Sequence, residues 1–297
     1  MYKSVENVKG LHGKVAIVKY RNVSDAMDHY KKYDVDIPFK HNKGKVSEYR
    51  GGHHSTDWTG FSDQRHFEQT MLHGDKIKAI EIEEIQAPEV KVESRKRKRH
   101  KGPIGDTLDI HAVYRGELDR AWTYTKRDMH DGGMKNITLL INIGDNCGVS
   151  SQALGWRGAV ALKVCDVMTE AGYNVRIIAN QMTEDLTRDD DGYGYNCTTV
   201  KDFDEYLDVP KLAAIFCRAG FFRSVIFTTI VYEAELLGKR VGYGLGRSIK
   251  SHSEEGKKLI EHVHQDEGYM VVFPSVNGKE DALNAMKEIL KPYLIEE

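Results

Sequence analysis

Residues Lys135 to Asn180 read KNITLLINIGDNCGVSSQALGWRGAVALKVCDVMTEAGYNVRIIAN. Ile137 to Ile143 is an apolar run closed by a Gly/Asp/Asn loop, the mark of a strand buried on both faces. Trp156 to Ala171 keeps apolar residues at helical spacing, Gly172 closes that helix, and Val175 to Ala179 returns to a strand pattern. Strand, loop, helix and strand form one βαβ unit, whose crossover is expected to be right-handed. Ligands in such sheets sit beyond the strand C-termini. The loop Gly144 to Ser151 is therefore the first place to seek a site.

With 297 residues, 40% hydrophobic and 30% charged, the chain has enough material for one large or two modest cores. A formal net charge of -2 excludes a uniformly basic nucleic-acid binder but leaves room for a local basic patch. The four cysteines, Cys147, Cys165, Cys197 and Cys217, form no CxxC pair, which fits reduced thiols in a cytoplasmic protein. The N-terminus is polar and no apolar run reaches membrane length, so neither a signal peptide nor a membrane partner is expected.

Residues 1–90 read as a small α+β region. KVAIVKY (Lys14 to Tyr20) is a predicted strand, Val23 to Tyr33 a helix capped by Ser24, and Ser62 caps a second helix ending at Gly74. IKAIEIEEI, which follows, alternates like a strand. His53, His54, His66 and His73 lack the spacing that puts metal ligands on one face and are expected to be solvated or packing residues.

Residues 91–104 read as a basic linker. Arg95 to Lys101 is RKRKRHK, six fixed positive charges in seven residues, which repel one another unless an anionic surface neutralises them. Nucleic-acid phosphate is one such surface, making Arg95, Lys96, Arg97, Lys98, Arg99 and Lys101 candidate contacts, with help from Lys40, Lys43, Lys45 and Arg50. The competing reading is a solvated tether, or a strap paired with acidic residues elsewhere in the fold, because no aromatic residue interleaves with the basic ones to stack bases.

Residues 105–297 alternate helix and strand, the pattern of a doubly wound, mostly parallel sheet. A helix is predicted from about Asp109 to Leu118, and Asp189 to Asp191 fall on an acidic hairpin tip without calcium-loop spacing. A helix starts at Val209 with Pro210 in its first turn. Phe221 to Gly238 reads as one helix by its length, Lys239 to Gly244 as a third core strand, Ser253 to His264 as a helix, Tyr269 to Phe273 as a strand and Asn277 to Tyr293 as the last helix.

Four blocks in this half, GDTLDIHAVYRGELDRAW, ITLLINIG, WRGAVALKVCDVMTEAGYNVRIIA and VKDFDEYLDVPKLAAIFCRAGFFRSVIF, resemble the von Willebrand factor A-like (VWA-like) domains, and more closely a group of them encoded by bacteriophages. DWTGFSDQRHFEQTMLHGD is similar to the segment that precedes the VWA-like half in that group. The resemblance implies a Rossmann-like sheet and a metal-ion-dependent adhesion site, in which a DxSxS loop plus a later Thr and Asp holds Mg²⁺ for a partner's carboxylate. Here the Asp position is Asn142 and the two Ser positions are Gly144 and Asn146. A shifted register offers Asp145, Ser150 and Ser151 but moves Asp145 relative to the pleat. Mg²⁺ demands charged or hydroxyl oxygens in octahedral geometry, so the expectation is a degenerate site with no metal and no other cofactor.

The resemblance also implies a non-enzymatic accessory protein of an infected bacterial cytoplasm. Its partner would be another protein, an AAA+ ATPase or a polymerase assembly, gripped through Asn142, Gly144, Asp145, Asn146, Ser150 and Ser151. The alternative is a replication or transcription accessory that contacts DNA or RNA through the basic run. A Rossmann-like enzyme is the third reading. Gly242, Gly244 and Gly246 give GxGxG without the acidic residue expected about twenty positions on. Neither a P-loop nor a GxSxG elbow occurs.

Overall fold

A computed structural model describes residues 1–33, 58–90, 97–102, 107–127, 135–145, 149–189, 191–276 and 278–294. Its main sheet takes β1 (Tyr2–Asn7), β2 (Lys14–Tyr20), β6 (Asn136–Asn142), β7 (Asn174–Glu184), β8 (Tyr193–Lys201), β9 (Arg247–Ser248) and β10 (Met270–Phe273). The order is β1-β2-β8-β7-β6-β10, with β9 on β7. The β2/β8, β7/β6 and β6/β10 pairs are parallel, whereas β1/β2 and β8/β7 are antiparallel. The protein is thus α/β, but its sheet is mixed rather than doubly wound and mostly parallel. The acidic turn after β7 is short enough to return β8 as a hairpin, which forces antiparallel pairing.

The expected βαβ unit is present as β6, α5 (Ser151–Glu170) and β7. Ile137, Leu139 and Ile141 enter the larger core, while Leu140 enters the core on the opposite face. Both faces of β6 are buried, hence its continuous apolar run. Helix α5 has two glycines toward α6 (Val209–Phe216). A Cβ on Gly158 would lie 1.9 Å from the Phe216 carbonyl oxygen, so only glycine permits that approach.

Helices α1 (Val23–Lys32), α5, α6, α7 (Phe227–Leu236, entered through a wider π-type turn at Phe221–Ile226) and α9 (Lys279–Leu290) cover the larger core. Among the described helices, α8 (Glu254–Val263) covers the other face through Leu259, Ile260 and Val263. No single described helix is long and apolar enough to cross a membrane.

Several expectations need correction. Residues 1–90 do not form a unit apart, because β2 hydrogen-bonds along β8 from Val15↔Tyr193 to Tyr20↔Thr198. IKAIEIEEI is not a strand. Asp75 accepts a hydrogen bond from the Lys78 amide and starts α3 (Lys76–Glu83), which buries Ala79 and Ile82, three residues apart on one helical face. The helix before it, α2 (Gln64–His73), is capped by Asp63 rather than Ser62, and α1 by Asn22 rather than Ser24. Lys239 to Gly244 contributes one bridge, Val241↔Thr187, instead of a strand.

The basic linker is also corrected. Arg97–Gly102 is β3, which pairs antiparallel with β5 (Trp122–Arg127), and β4 (Thr107–Leu108) flanks β5 in a second, three-stranded sheet. The predicted helix beyond it is only α4 (Ile110–Tyr114), because the Arg115 and Gly116 amides turn back to the carbonyls of residues 111–113.

Candidate functional site

The loop after β6 is where the strand order diverges to β7 on one side and β10 on the other, the position that takes a ligand in open α/β sheets. Its described residues are bound into the fold. Asn142 is fully buried; its Nδ2 donates to the Ile249 carbonyl at 3.0 Å and to Ser275 Oγ at 3.1 Å, and its Oδ1 accepts from the Gly144 amide at 2.9 Å. Arg157, 2% exposed, donates through Nη1 to the carbonyls of Asn142 (3.1 Å) and Gly144 (3.0 Å) and through Nε to that of Val276 (2.8 Å), and pairs through Nη2 with Asp145.

Those contacts change the standing of the predicted residues. Asp145, expected to be exposed, has a side chain only 6% exposed and directed to Arg157. Ser150 caps α5 by accepting from the Ala153 amide at 3.1 Å, and Ser151 is half-buried in the first turn. Asn146 and Cys147 lie outside the described residues. The space beside Asn142 and Arg157 is about 10 Å³, room for one water at most. With the Asn142 amide consumed by backbone and Asp145 held by a guanidinium, the donor set does not fit Mg²⁺. Arg157 carries no motif, and only its position nearly two turns into a buried helix hinted at its part.

An open cleft lies at the other end of the sheet, beyond the C-termini of the parallel pair β2 and β8. Its volume is about 720 Å³, in the range of binding sites. The β2–α1 turn (Arg21, Asn22), one face of α1 (Val23, Met27, Lys31), the end of α2 (Met71, Leu72), residues 199–202, Tyr206 and α6 (Leu212, Ile215) surround it. The floor is apolar: Leu212 and Ile215 are buried, and Met27, Met71 and Val200 are half-buried. The rim carries charges of both signs, with Leu72 (67% exposed) and Tyr206 (90%) standing among them.

The local sequence explains this shape. A two-residue turn after β2 puts the start of α1 directly at the strand end, and Asn22 caps it by accepting from the Asp25 amide at 2.9 Å. Lys201 closes β8, its Nζ donating to the carbonyls of Val175 (2.7 Å) and Asp202 (2.9 Å), and burial pushes its pKa down. Asp208 caps α6 and pairs with Lys211 at 3.2 Å on the rim. None of the predicted site residues lies here. The signal in the sequence was the spacing of Val23, Met27 and Lys31, which reads equally well as a core-facing stripe.

The model of a protein family described as a domain of unknown function, DUF7192, matches residues 3–297. The chain belongs to the DUF7192 family. No curated protein and no solved structure matches it. The match extends over both the loop after β6 and the open cleft of this DUF7192 chain, in keeping with the continuity of β1 and β2 with the later strands.

The described thiols of the chain are packing groups. Cys165, Cys197 and Cys217 are buried and free, and burial pushes the first two to about 12 and the third higher still. A thiol held protonated in this way is a poor nucleophile. No group of three or more His, Cys, Asp or Glu side chains that could hold a metal ion occurs among the described residues.

Proposed function

We propose that the protein is a non-enzymatic interaction module on a VWA-like platform, and that it grips an amphipathic segment of a partner protein in the cleft between α1, α2 and α6. The observation that carries this reading is an apolar floor containing two methionines inside a rim of mixed charge. That anatomy matches protein interfaces, where a desolvated apolar centre is enclosed by polar residues. Methionine side chains adapt to irregular apolar partners. Leu72 and Tyr206 at the rim provide large apolar area at positions where folding alone leaves them in water.

The phage-type resemblance supports a protein partner, and the β6–α5–β7 unit flanked by β10 supports the VWA-like platform. The partner surface moves from the 142–151 loop to the cleft because Asn142, Asp145 and Ser150 already serve the fold.

The test is quantitative affinity purification with the wild-type chain, Met71→Glu and Ser150→Ala. Loss of a partner from Met71→Glu alone is the expected result. A partner retained by Met71→Glu and lost from Ser150→Ala would overturn the placement, and full retention by both would overturn the cleft.

A further inference from the structure

Between residues 108 and 118 the fold leaves Leu108, Ile110, Val113, Tyr114 and Leu118 exposed to water, Tyr114 at 85% and Leu118 at 63%. Asp109 sets their arrangement, accepting from the amides of His111 at 3.1 Å and Ala112 at 3.2 Å and so starting α4 at Ile110. Ile110, Val113 and Tyr114, three and four residues apart, then share one helical face. The buried apolar residues beside them are the small ones, Ala112 and Ala121. A folded core takes the large side chains first, so this face is built to meet another surface. Strands β3, β4 and β5 and helix α4 make their principal contacts within their own small unit, and none of these elements covers the face.

Two connections join the unit to the main sheet, and both leave from the end where the cleft opens. The Lys135 carbonyl, directly before β6, accepts from the Asn174 amide at the start of β7 at 3.2 Å. Antiparallel pairing sets that end of β7 beside the end of β8, Ile177↔Lys201, and Lys201 lines the cleft. Val90 bridges to Leu294, next to Tyr293, whose ring lies 5.5 Å from that of Tyr173 before β7. From Lys135 to the end of β8 is two strand spacings, about 10 Å. Residues 91–96 and 128–134 can span up to about 20 Å and about 23 Å, at ~3.3 Å per residue.

We infer that the α4 face docks into the cleft of its own chain, so that a partner must displace it. The inference rests on the reading of the cleft as a docking groove. The cleft floor of Met27, Met71, Leu212 and Ile215 suits a helical turn that presents apolar anchors at i, i+3 and i+4. Size selects the occupant. Five apolar side chains fall far short of the roughly 20–30 residues a side of a stable two-body interface. A tethered surface needs less, because a short connection holds it at an effective concentration on the order of mM.

The experiment is hydroxyl-radical footprinting of the purified full chain, read by mass spectrometry at Met27, Met71 and Tyr114. With the undocked state populated at about 10%, Ile110→Glu/Tyr114→Glu should raise oxidation of Met27 and Met71 about tenfold, and Met71→Glu should raise oxidation of Tyr114 by a similar factor. Tyr114→Phe keeps the apolar ring and should leave both methionines protected as in wild type. The two Glu variants place charge on opposite sides of the contact, so a folding defect in one leaves the other as the test. Protection should be equal at about 1 µM and about 100 µM protein, both far below the mM effective concentration of the tethers. Equal oxidation of wild type and both Glu variants overturns the inference, and protection that grows with concentration overturns it in favour of a second copy. No partner is present in this measurement, so a failed footprint leaves the partner placement standing, and a failed purification leaves the footprint readable.

Discussion

Glu233 of α7 accepts a hydrogen bond from Asn196 of β8 at 3.1 Å, and neither side chain touches solvent. Asn196 donates in turn to Gln181 at 3.1 Å, so one amide ties α7 to two strands. A Cβ on Gly194 would lie 2.4 Å from Glu233 Oε2, so the carboxyl occupies the space that a glycine leaves open. Burial pushes the Glu233 pKa well above the usual carboxylate range, because a charge there has no water to solvate it.

The sign of its pH dependence follows. The folded pKa is raised, so the stability due to Glu233 is complete below the unfolded value of 4.5 and falls as pH rises toward the folded pKa. The slope for one such group is about 1.4 kcal/mol per pH unit. Glu233→Gln keeps the shape and removes the titration. Urea unfolding at pH 5 and pH 8 should show wild type losing stability relative to Glu233→Gln at the higher pH, and parallel curves would refute the assignment.

His264 behaves in the opposite sense. Burial beneath α8 lowers its pKa to about 4, and its Nε2 hydrogen-bonds the Tyr195 hydroxyl at 2.7 Å. A lowered pKa gives stability that is present above the unfolded value of 6.5 and is lost as pH falls toward 4. The wild type should lose on the order of 3 kcal/mol more than His264→Phe across that window, read by denaturant midpoints at matched pH. Equal losses would show that the imidazole stays uncharged by other means.

Arg157 and Asp145 test whether the loop after β6 is structural. Arg157→Met strands a buried carboxylate and three carbonyl oxygens, a change expected to cost about 3–5 kcal/mol. Asp145→Ala should also destabilise, by a few kcal/mol, since it leaves the guanidinium buried without its counter-charge. Equilibrium unfolding is the measurement, and a change below about 0.5 kcal/mol, as at ordinary surface positions, would return Asp145 to the candidate partner surface.

Gly158→Ala drives a methyl group into the Phe216 carbonyl and should lower stability by about 1–3 kcal/mol or more by overpacking. Tyr206→Ala, at the rim of the cleft, should change stability by no more than about 0.5 kcal/mol. Differential scanning calorimetry of the two variants distinguishes a packed contact from an exposed one.

Much of the architecture was written locally. The apolar run at Ile137 to Ile143, the spacing in α5 and Pro210 in the first turn of α6 each reflect one period or one cap, and local patterns of that kind survive folding unchanged. IKAIEIEEI misled because its alternation of apolar and charged residues satisfies a strand, while the Asp75 cap and the burial of Ala79 and Ile82 against α6 select a helix.

The sequence by itself determined the α/β class, the βαβ unit and the position of the basic run, because hydrophobic period and charge are properties of neighbours along the chain. Tertiary structure alone decided that β2 joins β8, that Arg157 of α5 binds the backbone where β6 ends, and that Arg97–Gly102 pairs as a strand with Trp122–Arg127. Those outcomes depend on pairing partners distant in sequence. Strand register and buried hydrogen bonds, which have no local signature, brought them together.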